Sequence, residues 1–441
     1  MLRSLIAISV SALTPLLFGE TPPEIAAKLD AGLPKLVALY QELHATPELS
    51  FQEINTAARF TSELKGAGFD VTPKVGGHGV VGVLHNGAGP TVLLRTELDA
   101  LPVLEKTRLP YASAVRAKDD KGADVPVMHA CGHDIHITCS IAAARLLSGL
   151  RPLWRGTLVI IGQPAEERVG GAKAMLADGL FTRFPRPDYC VALHCAADLA
   201  AGRVGVVEGF ALASSDAVDL VIKGVGGHGA WPQKAKDPIV LSAQIVLALQ
   251  TIVSRETKPG EPNVVTIGSI HGGTKHNIIP DEVRLQLTLR SYSDEVRERT
   301  IASIRRIVRG QALAADIPDA LLPTLTVIPE ESAKPTYNDP ALTQRLAAAG
   351  KRWLGSDNIE TREPVMGSED FGLYGRTAEK IPIAILWLGT VSSEAIAESK
   401  ASGTPLPPLH SAYFAPLPEP SIKTGAAMLI SSVLELAGAP K

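Results

Sequence analysis

The sequence is short of what several functional classes require. Lys and Arg number 43 against 46 Asp and Glu, a net charge of −3, and the basic residues are scattered. A nucleic-acid surface needs a basic excess gathered on one face, so no nucleic-acid partner is expected. Long uninterrupted apolar runs are also lacking. The N-terminal one, Leu5 to Phe18, follows Arg3, is short, and is broken by Pro15. That pattern fits a secretory signal over residues 1–19 better than a bilayer span, with an uncleaved amphipathic anchor as the alternative. Export to a periplasmic or extracellular space is therefore expected, with no membrane partner.

Cysteine is scarce as well, with four residues at positions 131, 139, 190 and 195. In an oxidising compartment an even number ordinarily suggests bridges. Cys131 is expected outside any bridge, because a thiolate that binds metal is held deprotonated by it. Cys190 and Cys195 flank a strand-like run whose alternation sends them to opposite faces, which makes them small buried hydrophobes.

What the chain does contain is concentrated. His129-Ala-Cys-Gly-His-Asp-Ile-His136 packs three imidazoles, a thiol and a carboxylate into eight residues. These side chains bind divalent transition metals, and burying them unpaired is costly, so the stretch reads as a metal site or else as a polar loop of satisfied histidines. Further donors follow. Gln163-Pro-Ala-Glu-Glu167 comes directly after an apolar β-branched run, at a strand end where open α/β sheets place ligands. Adjacent acids repel, a cost that is tolerable when one coordinates a cation and the other serves as general base. The run Tyr189 to Leu193 is expected to end in His194, and a proline-rich loop ends in His410. Cys131, His133, Glu167, His194 and His410 are thus candidate ligands, with Glu166 left free. Five donors exceed one tetrahedral site and suit two ions sharing a bridge.

Ordered motifs extend from about Leu43 to Phe414: Leu43-His-Ala-Thr-Pro-Glu-Leu-Ser-Phe-Gln-Glu53, Leu94-Arg-Thr-Glu-Leu-Asp-Ala-Leu-Pro102, the two stretches above, Gly227-His-Gly-Ala-Trp-Pro232, Asn277-Ile-Ile-Pro280, Met366-Gly-Ser-Glu-Asp-Phe371 and Leu409-His-Ser411. In these the chain resembles the M20 metallopeptidase superfamily, specifically its amidohydrolase branch of N-acyl amino acid, hippurate and auxin-conjugate hydrolases. The resemblance implies an α/β two-metal catalytic domain with an inserted lid, two divalent ions (Zn²⁺, Mn²⁺ or Co²⁺), and hydrolysis of the amide bond of a small N-acyl amino acid. Under it Glu166 is the general base, Asp99 orients a metal ligand, and His228 polarises the scissile carbonyl from the second subunit of a homodimer. Two positions depart from the pattern: Glu97 stands where an Asp is usual, and Gln233 where His is common. A dipeptidase or carboxypeptidase of the same superfamily, or a metal-binding protein without turnover, are the competing readings.

Element by element, helices are expected at Pro23 to His44 and Phe51 to Gly66, the second opened by Ser50 and Glu53 as a capping box. Strands follow at Val80 to His85 and Thr91 to Glu97. Gly77-His-Gly-Val-Val-Gly82 mimics a dinucleotide fingerprint, but a strand follows it where phosphate binding needs a helix N-terminus. Val115 to Pro126 reads as a polar charged loop. From residue 214 to 329 the order strand, helix, strand, strand, helix, strand describes a βαββαβ, ferredoxin-like insert. The catalytic domain then comprises residues 20–213 and 330–441. Within the insert, His228 and Asn277 read equally as loop caps or as substrate groups. Arg290, at a strand end, suits a substrate carboxylate and equally an ordinary surface position. His44 and His136 are expected to be structural.

Overall fold

The computed structural model describes residues 21–438, so the expected signal at residues 1–19 lies outside the described residues. Its larger layer is an eight-stranded sheet in the order Asp70–Val75, Gly79–Asn86, Gly156–Gln163, Thr91–Glu97, Tyr189–Ala200, Ile383–Val391, Val204–Val206 and Ile359–Thr361. The four central strands, from Gly156–Gln163 to Ile383–Val391, are mutually parallel. Their sequences are apolar without alternation, as in Leu158-Val-Ile-Ile161, because both faces are covered. Helices Pro23–Ala45, Ile54–Gly66, His133–Gly149, Pro340–Leu354 and Pro418–Ala437 cover one face; Gly171–Ala177, Leu180–Arg183 and the turn Asp370–Arg376 cover the other.

Gly79–Asn86 and Thr91–Glu97 are consecutive in sequence but not adjacent in the sheet. Gly156–Gln163 inserts between Gly79–Asn86 and Thr91–Glu97, antiparallel to the first and parallel to the second. The chain therefore leaves Thr91–Glu97 toward one side and later returns to its other side as Tyr189–Ala200. Such a reversal opens a crevice at the carboxyl ends of the strands, the usual ligand position in open α/β sheets.

The smaller layer has the βαββαβ order: strands Ser215–Lys223, Asn263–Gly272, Glu282–Ser291 and Thr324–Ala333, helices Pro238–Thr251 and Asp294–Ala314. The sheet is antiparallel, with Glu282–Ser291 and Ser215–Lys223 central. Alternation sets its two faces: Val218, Leu220, Ile222, Leu285, Leu287 and Leu289 pack under the helices, leaving Ser215, Thr288 and Arg290 on the face turned to the larger layer. Its last strand runs to Ala333, past the expected boundary at residue 329. Gly209–Leu212 and Thr336–Asn338 pair where the chain enters and leaves this layer.

Three expectations are corrected. The Ser50/Glu53 capping box does not form. The helix begins at Ile54, and the Glu48 carboxylate receives the Asn55 and Thr56 N–H groups at 3.0 and 2.8 Å. Ser50 instead donates to Asp99 Oδ2 (2.6 Å), and Glu53 Oε1 receives the Phe51 and Ala165 N–H groups, so tertiary partners outbid the local cap. The strand carrying His194 does not end there but continues to Ala200, because Ile383–Val391 pairs with it along that length. Val115 to Pro126 is not an open loop: Arg116–Lys118 pairs with Asp124–Pro126, and Asp119 closes the turn by receiving the Lys121 and Ala123 N–H groups.

Candidate metal centre and active site

The five candidate ligands converge. Cys131, His133 and His194 form one group whose donor atoms lie within 4.8 Å of one another, and Cys131, Glu167 and His410 form a second. Cys131 is common to both, as a bridge between two ions requires. His410 Nε2 lies 3.3 Å from Cys131 Sγ and 3.5 Å from Glu167 Oε2, while His194 Nε2 lies 3.5 Å from Cys131 Sγ. Each ligand arrives from a different element. Gly132, at φ 85°, lets the chain turn sharply between Cys131 and the helix that begins at His133. His410 itself takes φ 67°, a strained conformation for a histidine, held by its N–H donating to the Ala130 carbonyl at 2.8 Å.

The imidazoles are fixed through their other nitrogens. His133 Nδ1–H donates to the Asp99 backbone carbonyl (2.8 Å), and His194 Nδ1–H donates to the Cys195 carbonyl (2.9 Å), which turns each Nε2 toward the cluster. Asp99 thus orients His133 mainly with its carbonyl; its carboxylate lies 3.4 Å from the ring and receives Ser50 Oγ–H and the Glu167 N–H. Both nitrogens of His136 have protein partners: Nδ1 bonds Glu97 Oε2 and Nε2 receives the Cys195 N–H, both at 2.8 Å. His44 likewise bridges Asp134 (2.7 Å) and Glu105 (3.1 Å).

These residues fit a cation. His133 Nε2 and Glu167 Oε1 are buried with no hydrogen-bond partner, 3.8 Å apart, a costly arrangement that a metal ion relieves. Electrostatics agree. Burial opposes charge on His133, yet Asp99 and Glu97 outweigh it and hold its pKa up at about 10, so the carboxylates around it attract positive charge. Burial and the neighbouring His136 hold His194 down at about 3, neutral and ready to ligate. Burial, then Glu167 and Glu166, push the Cys131 thiol well above its usual range, so a thiolate there needs a cation beside it. The other three cysteines are free and buried; Cys190 and Cys195 lie on opposite faces of their strand, in the two separate cores.

Glu166 stands beside the ligands, Oε2 3.8 Å from His133 Nε2. Burial first, then Glu369 and Glu167, raise its pKa well above the ordinary carboxylate range. The cluster forms the floor of a cavity of about 1230 Å³ between the two layers. Leu212, Val264, Val365, Trp387 and Leu406 give it apolar walls, and Arg290 enters from the smaller layer. Burial lowers the pKa of Arg290, whose guanidinium has no hydrogen-bond or ion-pair partner among the described residues. His228 and Asn277 are not brought to this cavity. They sit together on the smaller layer, where Gly229 N–H donates to the Asn277 carbonyl (2.9 Å) and His228 is exposed against Trp231. The loop geometry that made both readable as caps is what the single chain shows.

Sequence reasoning missed one group. Arg95, fully buried, pairs with Glu97, with Glu369 at 2.7 Å and with Asp370 at 3.0 Å, directly behind the metal ligands. The motif Met366 to Phe371 was the available signal, but without a fold its acids had no partner to point at.

A buried donor set with a carboxyl poised beside it, opening on a cleft, is the equipment of a metal-dependent hydrolase. The sequence profile of the Peptidase family M20/M25/M40 matches residues 93–409, and the chain belongs to that family. It is accordingly a hydrolase of amide bonds. It is similar to the hippurate hydrolase of Campylobacter jejuni, 38% identical over 335 residues covering 76% of this chain and 83% of the relative. It is also similar to the IAA-amino acid hydrolase ILR1-like 2 of Arabidopsis thaliana, 34% identical over 78% of this chain and 74% of the relative. Among solved structures it resembles the YxeP protein of Bacillus subtilis, described as a dinuclear metal-binding peptidase of the M20 family, with a TM-score of 0.72, 28% identity and coverage of 92% and 98%.

Proposed function

We propose that this chain is an exported, dimeric hydrolase that releases amino acids from N-acyl amino acids. The observation that carries the substrate class is the composition of the cavity. Its carboxylates are Glu166 and Glu167, which belong to the metal centre, and Asp198, which is held by Arg362. A free α-ammonium therefore meets no unpaired anion, whereas an acyl group meets apolar walls and a product carboxylate meets the unpaired Arg290. That favours acylated substrates over dipeptides, and the names of the relatives point the same way.

Cys131, His133, Glu167, His194 and His410 would hold two divalent ions, which when bound would supply Lewis acidity to the scissile carbonyl and lower the pKa of water toward neutrality. Glu166, a carboxylate beside the ligands and outside their set, takes the proton of the attacking water and returns that proton to the leaving amine. Arg290 binds the carboxylate of the substrate with its planar fork.

His228 supplies a donor to the carbonyl oxygen of the partner subunit's site. Support comes from its exposed place on the smaller layer beside an apolar surface: Val240 and Leu247 of helix Pro238–Thr251 are 54% and 72% exposed, and Ile270 on the edge strand is 54% exposed. Export is proposed from the N-terminal sequence pattern alone.

Amino-acid release from a panel of N-acetyl and N-benzoyl amino acids alongside dipeptides, with Zn²⁺, Mn²⁺ or Co²⁺ supplied, tests the substrate class; faster cleavage of dipeptides overturns it. Mixing Glu166→Gln with His228→Ala subunits tests the dimer, since a mixed pair regains one complete site. Failure of the mixture to recover activity rules out delivery between subunits. Intact Met1 on the mature protein rules out a cleaved signal.

A further inference from the structure

Behind the metal centre a chain of buried contacts runs from the C-terminal third of the sequence to a metal ligand. Glu369 and Asp370 grip Arg95 at 2.7 and 3.0 Å, and Arg95 also holds Glu97 Oε1. The other oxygen, Glu97 Oε2, receives His136 Nδ1–H at 2.8 Å. His136 Nε2 in turn receives the backbone N–H of Cys195 at 2.8 Å. That peptide's residue closes the series, because the Cys195 carbonyl receives His194 Nδ1–H at 2.9 Å and so aims His194 Nε2 at Cys131. Glu97 is completely buried, and Arg95 and His136 are each 1% exposed.

The hydrogen bonds fix the state of His136. An amide N–H can only donate, so Nε2 carries no proton, and the ring is the neutral Nδ1–H form. It is a strut of fixed length, with its far end set by Glu97 and its near end on the residue next to a ligand. We infer that the Glu97–His136 pair is a positioning element that sets the strand at Cys195, and through it the orientation of His194 in the metal centre. Neither residue touches substrate. The length of residue 97 is the sensitive variable. Shortening it to aspartate withdraws the carboxylate by about one carbon–carbon bond, roughly 1.5 Å, and an acceptor at more than 3.5 Å no longer makes a hydrogen bond. Glutamine keeps the length but offers one acceptor oxygen for two donors, Arg95 and His136, so it preserves part of the strut.

This inference rests on the assignment of His194 as a ligand, and the experiment separates the two. Co²⁺ binding is measured by chelator competition in the wild type, Glu97→Asp, Glu97→Gln and His194→Ala, and the visible spectrum of bound Co²⁺ is recorded, because it reports ligand geometry independently of activity. His194→Ala is expected to lose one of the two ions; if it binds both as wild type does, the ligand assignment itself fails. Given that loss, Glu97→Asp is expected to weaken one Co²⁺ site by ten- to a hundred-fold with an altered spectrum, and Glu97→Gln by less, the range usual for partners that orient metal-bound histidines. Wild-type affinity and spectrum in Glu97→Gln together with Glu97→Asp overturn the inference. Should Glu97→Asp not fold, Glu97→Gln decides alone: an unchanged Co²⁺ site in that variant refutes the strut.

Discussion

The two layers of this molecule handle buried charge in opposite ways. In the smaller layer charge is nearly absent from the interior, and the buried Asp216 is matched by Arg297, whose guanidinium contacts both carboxylate oxygens at 2.6 to 2.9 Å. In the larger layer Glu97, Asp99, Glu166, Glu369 and Asp370 are all at most 6% exposed, with Arg95 the one arginine among them. A core of the first kind is stable by itself. The second kind leaves His133 Nε2, Glu167 Oε1 and Asp99 Oδ1 unpartnered, an imbalance that a bound cation would offset. Stability built for folding and stability held back for chemistry thus lie side by side, joined at one cavity.

The largest test of that contrast is at Glu166. Glu166→Gln is expected to lower kcat by roughly 10² to 10⁴, about 3 to 5 kcal/mol of barrier, while metal content measured by elemental analysis stays normal. Near-normal turnover removes it as the base.

A buried polar group of the larger layer that lies outside the ligand set should show its charge in stability. Burial opposes protonation of His44, but hydrogen bonds to Asp134 and Glu105 outweigh burial and hold its pKa at about 10. Because the folded value lies above the ordinary one, its contribution is complete below about pH 6.5 and is lost as pH rises toward 10, on the order of 5 kcal/mol in all. Urea midpoints at pH 6, 8 and 10 should fall for the wild type and stay flatter for His44→Gln; parallel profiles refute the ion pair.

In the smaller layer Arg297→Ala strands Asp216 in the interior. The expected cost is about 3 kcal/mol of stability by denaturant titration, with metal content unchanged. Loss of metal along with stability would mean that the layers are not independent. The smallest effect is expected at Arg116, whose pair with Asp124 is half exposed at 52% and 50%. Arg116→Ala should shift the unfolding midpoint by less than about 0.5 kcal/mol equivalent. A larger loss would show that the hairpin before the metal motif matters more than its exposure indicates.

Much of this was legible in the residues. Donor chemistry in His129 to His136 and Gln163 to Glu167 pointed to a metal site, and the fold brings candidate metal-binding groups together there. Periodicity gave the βαββαβ layer, because alternating strands and amphipathic helices follow from local geometry alone. Only the tertiary structure decided the rest. Ser50 and Glu53 had a local role available and took distant partners instead; His194 proved to lie within a strand, because its neighbour Ile383–Val391 extends the pairing. The partners of Arg95 and the strut from Glu97 to Cys195 join residues up to 275 positions apart. Local sequence fixes which groups are present and how each short segment folds, but a hydrogen bond or a metal ligand is a matter of ångströms between distant residues, and only the folded chain sets those distances.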